Sequence, residues 1–289
     1  MRVLVAGAGG LVGRAVEEHC LAQHDEVFSY PRETLDITDA QSVHATIEQV
    51  RPDFVFNCAA WTDVDGCEFD FNRAFAVNAT GPENLASASR KAGAGLITIS
   101  TDYVFDGEKE GFYTQRDDPN PKSVYGVSKL AGERRAQVAS ARCIVVRTGY
   151  IFGLGGKNFL STVVERARRG ERLKAISDSW GTPTYAPHLA ARLRELAQLD
   201  LPGIFHVVND GDGASFEQFA KAALRIADCE RHLETVSMNS LNRPAPRPRN
   251  SRLKCLVSQS IGLAPLPFWQ DALMHFVGGQ RPAEIAAQD

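Results

Sequence analysis

The sequence predicts an α/β fold: a doubly wound parallel sheet with a smaller C-terminal unit beside it. Three observations carry this. Short apolar β-type runs recur at 2–6, 26–30, 53–58, 95–99 and 143–147, with helical patterns between them. A glycine run, Gly7-Ala8-Gly9-Gly10-Leu11-Val12-Gly13, stands between the first strand and the first helix. Past Gly153 the alternation loosens, although 203–208 reads as a late strand that can rejoin the sheet.

The bounds are those of an ordinary globular protein. The 289 residues suffice for one large domain or two coupled ones. The chain is 44% hydrophobic and 23% charged, with net charge −3 and pI near 6.2. No basic excess points to nucleic acid or an anionic membrane. The one basic cluster, 243–252, is interleaved with prolines and reads as a loop. No apolar run is long enough to span a membrane, and Met1 leads straight into a strand, so no signal peptide is expected. Six cysteines are scattered without C-x-x-C or metal-type spacing, which fits free thiols in a reducing cytoplasm. No His/Cys/carboxylate cluster converges on the strand ends, so no metal is expected.

The elements follow in order. After the strand 2–6, the spacing G-x-x-G-x-x-G is complete at Gly7, Gly10 and Gly13, whereas G-x-G-x-x-G would need a glycine at Val12. Strand, glycine loop and helix together let a backbone approach a pyrophosphate, which rests on the helix N-terminus. This makes the sheet Rossmann-type. The second strand ends Tyr30-Pro31-Arg32, with no carboxylate before Glu33. An acid there would hold a ribose 2′-hydroxyl, whereas Arg32 can pair with a 2′-phosphate. NADPH is therefore favoured and NADH stays open, since Arg32 also reads as a solvated loop residue. Thr38 or Asp39 caps the next helix, and Asp36 and Ile37 sit where an adenine would rest.

The third strand exits through Asn57-Cys58-Ala59-Ala60, small enough at Ala59 and Ala60 for a flat ligand, into the loop Trp61-Thr62-Asp63-Val64-Asp65. A helix is predicted over 68–77. Asn78 lies in its apolar continuation and needs partners. It reads either as a core residue tying two strands together or as a direct participant in chemistry.

The buried run 95–99 ends in Ser100-Thr101-Asp102-Tyr103. Hydroxyls at the carboxyl end of such a strand open onto the ligand crevice of a parallel sheet. Tyr125 and Lys129 are four apart, on one face of a helix. A lysine cation is expected to lower the phenol pKa, so that Tyr125 protonates a carbonyl oxygen that Thr101 also binds. A solvated lysine and a filler tyrosine are the ordinary alternative.

Taken jointly, these motifs resemble the dTDP-4-dehydrorhamnose reductase family of extended short-chain dehydrogenase/reductases. The resemblance covers nearly the whole chain. It also draws on Arg147-Thr148, Gly181-Thr182-Pro183-Thr184 and Arg249-Asn250-Ser251. It implies an NADPH-dependent reduction of a nucleotide-linked 4-ketosugar, with Thr101, Tyr125 and Lys129 catalytic and Lys129 also holding the nicotinamide ribose. Together the two readings make Gly7, Gly10, Leu11, Val12, Arg32, Asp36, Ile37, Cys58, Ala59, Ala60, Thr62, Asn78, Tyr125 and Lys129 cofactor-binding. Substrate is expected at Thr62, Val64, Thr101, Asp102, Tyr103, Tyr150 and Asn158. The family's metal-binding glutamate is replaced by Ala15, so a monomer or weak homodimer is expected. Tyr150 stands for a common tryptophan, Ser179-Trp180 for a glutamine-aromatic pair and His188 for a common aspartate.

The rivals are a sugar-nucleotide epimerase and a non-catalytic NADP-binding subunit resembling the methionine adenosyltransferase beta subunit. Sugar-nucleotide 4,6-dehydratases carry Asp-Glu after the threonine; here Asp102-Tyr103 lacks the second acid. The expected division is a nucleotide-binding domain over 1–149, with a return near 187–209, and a substrate-binding domain over 150–186 and 210–289.

Overall fold

The computed structural model describes residues 1–229 and 232–279. The last ten residues of the expected second domain, and residues 230 and 231 within it, lie outside the described residues. In chain order the elements are β1 (Arg2–Ala6), α1 (Leu11–Ala22), β2 (Glu26–Tyr30), α2 (Ala40–Val50), β3 (Phe54–Asn57), α3 (Val64–Phe69), α4 (Phe71–Phe75), a π turn (Ala76–Thr80), α5 (Gly81–Ala92) and β4 (Gly95–Thr101). Then come α6 (Val124–Ala139), β5 (Cys143–Thr148), β6 (Ile151–Phe152), α7 (Phe159–Arg168), β7 (Leu173–Ile176), β8 (Trp180–Gly181), β9 (Thr184–Tyr185), α8 (Ala186–Leu199) and β10 (Gly203–His206). The chain closes with β11 (Ala214–Ser215), α9 (Phe216–Ile226), β12 (Leu233–Val236), α10 (Val257–Ser260) and α11 (Trp269–Gly278).

Six strands form one parallel sheet in the order β10-β5-β4-β3-β1-β2. Thr98 lies opposite Val145 and Ile97 opposite Ile144, so the runs at 95–99 and 143–147 are neighbours. The late strand does return, as β10 on the β5 edge. The strand order reverses between β1 and β3, and such a reversal opens a crevice at the carboxyl ends.

Alternation along each strand fills both faces. Val3, Val5, Phe56, Ile97, Ile144 and Val146 pack with α1 and α8. Leu4, Ala6, Val55, Leu96 and Val145 pack with α2, α5 and α6. Burial on two sides explains why the strands read as continuous apolar runs. A separate cluster of Phe152, Leu160, Val163, Leu173, Phe219, Trp269 and Phe276 forms the C-terminal layer.

The helix predicted over 68–77 is not continuous. Asp70 breaks it and caps α4 by accepting from the Arg73 N–H at 2.9 Å. The π turn then carries Asn78. The strand-tying asparagine is instead Asn57, whose Nδ2 donates to Thr98 Oγ1 at 3.0 Å between β3 and β4. Asp39, rather than Thr38, caps α2.

Helix α6 is clamped to the sheet by an ion pair. Arg147 on β5 donates through Nε and Nη2 to Glu133 on α6, the shortest contact being 2.7 Å. Both side chains are at most 4% exposed. Ser100 on β4 donates to the same carboxylate. Removing one partner strands a buried charge. Arg147→Met is expected to lose about 3–5 kcal/mol of unfolding free energy in urea melts. A loss within measurement error would show that the pair does not hold the helix.

Candidate active site

The glycine loop sits at the β1–β3 reversal. Gly7 adopts φ +78°, and a Cβ there would lie 2.6 Å from the Ala59 nitrogen. A Cβ on Gly13 would overlap the Gly7 carbonyl. Only glycine permits these two approaches. Gly10 caps α1 without a side chain, leaving the first N–H groups of a twelve-residue helix without a side-chain partner. Arg14 ties the loop to the C-terminal half, donating to Gly9 O at 2.5 Å and Gly155 O at 3.0 Å.

Two cavities meet here. One of about 280 Å³ is lined by Gly7, Gly9, Gly10, Arg32, Asp36, Ile37 and the strip 58–61. Arg32 is exposed at its rim. Asp36 accepts from the Thr38 N–H at 2.9 Å and hydroxyl at 2.7 Å, and these bonds hold its carboxyl below the usual range. The second cavity, about 490 Å³, shares Gly10, Cys58, Ala59 and Ala60 with the first. It continues along Leu11, Val12, Thr62, Val64, Thr101, Asp102, Tyr103, Tyr125, Lys129, Tyr150 and Asn158. The residues expected at a bound dinucleotide and at a substrate thus line two joined spaces, with one exception.

That exception is Asn78, which lines neither cavity. Its side chain accepts from the Trp61 N–H at 2.8 Å and donates to Trp61 O and Ser128 Oγ, both at 3.1 Å. Ser128 in turn donates to Tyr125 O at 2.8 Å. Asn78 therefore couples the 58–61 strip to the helix bearing Tyr125, through a π turn of the kind found at functional sites.

Thr101 ends β4 opposite Thr148. Its Oγ1 donates to Asp102 Oδ1 and accepts from the Tyr103 N–H, each at 3.1 Å. Tyr125 lies in the first turn of α6 behind the Ser123 cap, its ring edge-on to Tyr103 at 5.8 Å. Burial pushes its phenol well above the ordinary value, with the Thr101 hydroxyl pulling the other way. The expected lowering by Lys129 is not what this structure shows. Lys129 Nζ donates to Ile99 O at 2.7 Å, and desolvation lowers its own pKa to about 8. Burial dominates for both groups because each loses water without gaining a full counter-charge. The phenol is thus held protonated, which is the form a proton donor needs.

In the same cavity Tyr150 has φ +47°, a costly conformation for a tyrosine. Its ring packs on Phe216 at 4.5 Å and its hydroxyl lies 3.2 Å from Ser179 Oγ. Asn158 caps α7, accepting from the Ser161 N–H at 2.9 Å. His188 lies outside both cavities and meets Asn209 at 2.8 Å. Phe159 and Phe216, unremarked in the sequence, complete the wall; nothing in their local spacing separates them from core aromatics.

A sequence model described as the RmlD substrate binding domain matches residues 1–281. The dTDP-4-dehydrorhamnose reductase of Mycolicibacterium smegmatis is 37% identical, with 96% of this chain and 85% of that one covered. This chain belongs to the dTDP-4-dehydrorhamnose reductase family. SpsK of Bacillus subtilis, a spore coat polysaccharide biosynthesis protein, is 33% identical over 96% of each chain. The crystal structure of the Bacillus anthracis reductase in complex with NADP superposes with a TM-score of 0.93 at 32% identity, covering 96% of this chain and 99% of that one. Against this family background the six cysteines remain unpaired, and no described helix is long and apolar enough to cross a membrane.

Lys129 offers a direct check. Burial disfavours its ammonium, so it should lose its proton at lower pH than an exposed lysine near 10.4. In ¹³C-dimethyl-lysine NMR one resonance, absent in Lys129→Met, should titrate near pH 8. A spectrum in which every lysine titrates near 10 would contradict this environment.

Proposed function

We propose that this chain is an NADPH-dependent reductase of a nucleotide-linked 4-ketosugar, converting dTDP-4-dehydro-L-rhamnose to dTDP-L-rhamnose. The observation that carries the reading is a buried Tyr125 phenol that shares with Thr101 a cavity continuous with the glycine loop. The named relatives support it and do not favour the non-catalytic subunit.

The residues fit a dinucleotide. Gly7 and Gly13 leave a cradle that a Cβ would fill, and 58–60 present a flat small-residue strip. Gly10, Leu11 and Val12 would meet the pyrophosphate, Asp36 and Ile37 the adenine, and Arg32 the 2′-phosphate. When bound, the cofactor supplies a hydride. Charge then develops on the sugar oxygen and must be neutralised as it forms. The Thr101 hydroxyl turns from Asp102 Oδ1 to donate to that oxygen, and Tyr125 gives up its proton. Lys129 would hold the ribose. Thr62, Val64, Asp102, Tyr103, Tyr150 and Asn158 surround the sugar nucleotide. In this reading residues 1–149 and 187–209 make up the cofactor-binding domain, which also lends Thr62, Val64, Thr101, Asp102 and Tyr103 to the substrate, and the expected substrate-binding domain, 150–186 and 210–289, adds Tyr150 and Asn158. Unpaired thiols support a cytoplasmic setting, and Ala15 supports a monomer or weak homodimer.

The test is a panel of nucleotide-linked 4-ketosugars followed by NADPH absorbance. Tyr125→Phe should lose about 10²–10⁴-fold in turnover with cofactor binding nearly intact. Near wild-type turnover would remove Tyr125 as the acid. Lys129→Met should cost both turnover and cofactor affinity, and Thr101→Val mainly turnover. No turnover on any ketosugar, with a synthetase co-purifying, would favour the regulatory subunit instead.

Arg32→Ala should weaken NADPH and leave NADH nearly unchanged in fluorescence titrations. Equal weakening of both would show that Arg32 does not read the phosphate.

A further inference from the structure

Asp102 is the one carboxylate lining the larger cavity among the described residues. It is 3% exposed, and no cation bonds to it. The groups around it are the Tyr103, Tyr125 and Tyr150 phenols, the Lys129 ammonium in the same cavity, and Thr101. Glu133 and Arg147 neutralise each other behind β4 and β5, and Arg247 is occupied by Asp65 at 2.8 Å. A Cβ on Gly149 would overlap the Asp102 carboxylate, so that side is closed. Its strongest donor comes from far along the chain: Ser251 Oγ, 2% exposed as a residue, donates to Asp102 Oδ2 at 2.5 Å. Trp180 O is a poorer alternative for the same hydroxyl, at 3.4 Å.

Ser251 is held by its own backbone. Its N–H donates to Trp180 O at 2.8 Å. On one side Asn250 donates to Lys109 O and Gly111 O, both at 2.6 Å. On the other the Leu253 N–H donates to Thr182 Oγ1 at 3.1 Å. The segment 245–253 thus delivers one hydroxyl to one buried carboxylate.

We propose that Ser251 is a positioning residue for the reduction, holding Asp102 so that, before substrate arrives, Oδ1 accepts from Thr101 and keeps that hydroxyl beside Tyr125, ready to turn to the sugar oxygen. The proposal rests on the reductase reading above. Burial raises the Asp102 pKa to about 6, and the Ser251 bond is the largest influence opposing the rise. Without that donor Asp102 protonates nearer neutral pH, turns from acceptor to donor, and reorients the Thr101 hydroxyl.

The test pairs a titration with kinetics. In protein carrying ¹³C-carboxyl aspartate, the resonance lost in Asp102→Asn should titrate near pH 6 in the wild type. In Ser251→Ala it should move up by about one pH unit, as expected for losing a charge-assisted donor. The kcat/KM of Ser251→Ala should fall about threefold at pH 6.5, approach a tenfold loss near pH 5 and return close to wild type by pH 9, following that midpoint. Ser251→Thr, which keeps the hydroxyl, should restore the profile. In an Asp102→Asn background Ser251→Ala should add no further loss. NADPH affinity should stay near wild type, and melting temperature should fall by only a few degrees. A loss equal at every pH, or an unmoved Asp102 midpoint, overturns the proposal. Should Ser251→Ala fail to fold, the midpoint and profile of Ser251→Cys, a weaker donor, are read in its place. Absence of turnover in the wild type overturns the reductase reading instead, and the titration still decides whether Ser251 governs Asp102.

Discussion

The buried pair between Glu133 and Arg147 sets where everything else in the site can stand. It fixes α6 against β4 and β5. Tyr125, Lys129 and Glu133 are spaced by four residues, so they form one stripe along that helix. With Glu133 locked to the sheet, the stripe faces the ends of the strands, and Tyr125 lies over Thr101. The same carboxylate accepts from Ser100, immediately before Thr101. Helix and strand end are therefore registered through one charge. A buried ion pair gains little net stability over apolar packing, and its merit here is geometric.

Water exclusion gives the site its protonation pattern. The phenol of Tyr125 is pushed up, the ammonium of Lys129 down to about 8 and the carboxyl of Asp102 up to about 6. One cause lies behind all three, since burial penalises whichever form carries charge. The result is a proton donor in its protonated form and two groups poised near neutrality. Hydrogen bonds then adjust each: Ile99 O receives Lys129, and Ser251 and Thr101 serve Asp102.

The C-terminal half closes the site through a few long-range ties. Arg14 reaches the Gly155 carbonyl, Arg247 pairs with Asp65, and Asn250 holds two carbonyls of the 109–111 loop. Tyr150 keeps a strained backbone because Phe216 and Ser179 fix its ring and hydroxyl. These ties join residues of the first 150 to residues beyond them, so the cavity wall is assembled from segments distant in sequence.

What the sequence by itself determined is what depends on local sterics and periodicity. Gly7, Gly10 and Gly13 are legible because a backbone that must pass another backbone leaves no room for a Cβ. The strands are legible because two-sided burial demands unbroken apolar runs, and Tyr125 with Lys129 because helical geometry brings residues four apart together. Tertiary structure alone decided the rest. The partner of Lys129 is a strand carbonyl thirty residues away, which no spacing encodes. Asn78 serves Trp61 and Ser128 through a π turn that looks like ordinary helix in sequence. Ser251 meets Asp102 across 149 residues, and only the folded path of 245–253 makes them neighbours. Local chemistry is written along the chain; the pairing of buried polar groups depends on which distant segments the fold brings within hydrogen-bonding distance, and on how much water it removes there.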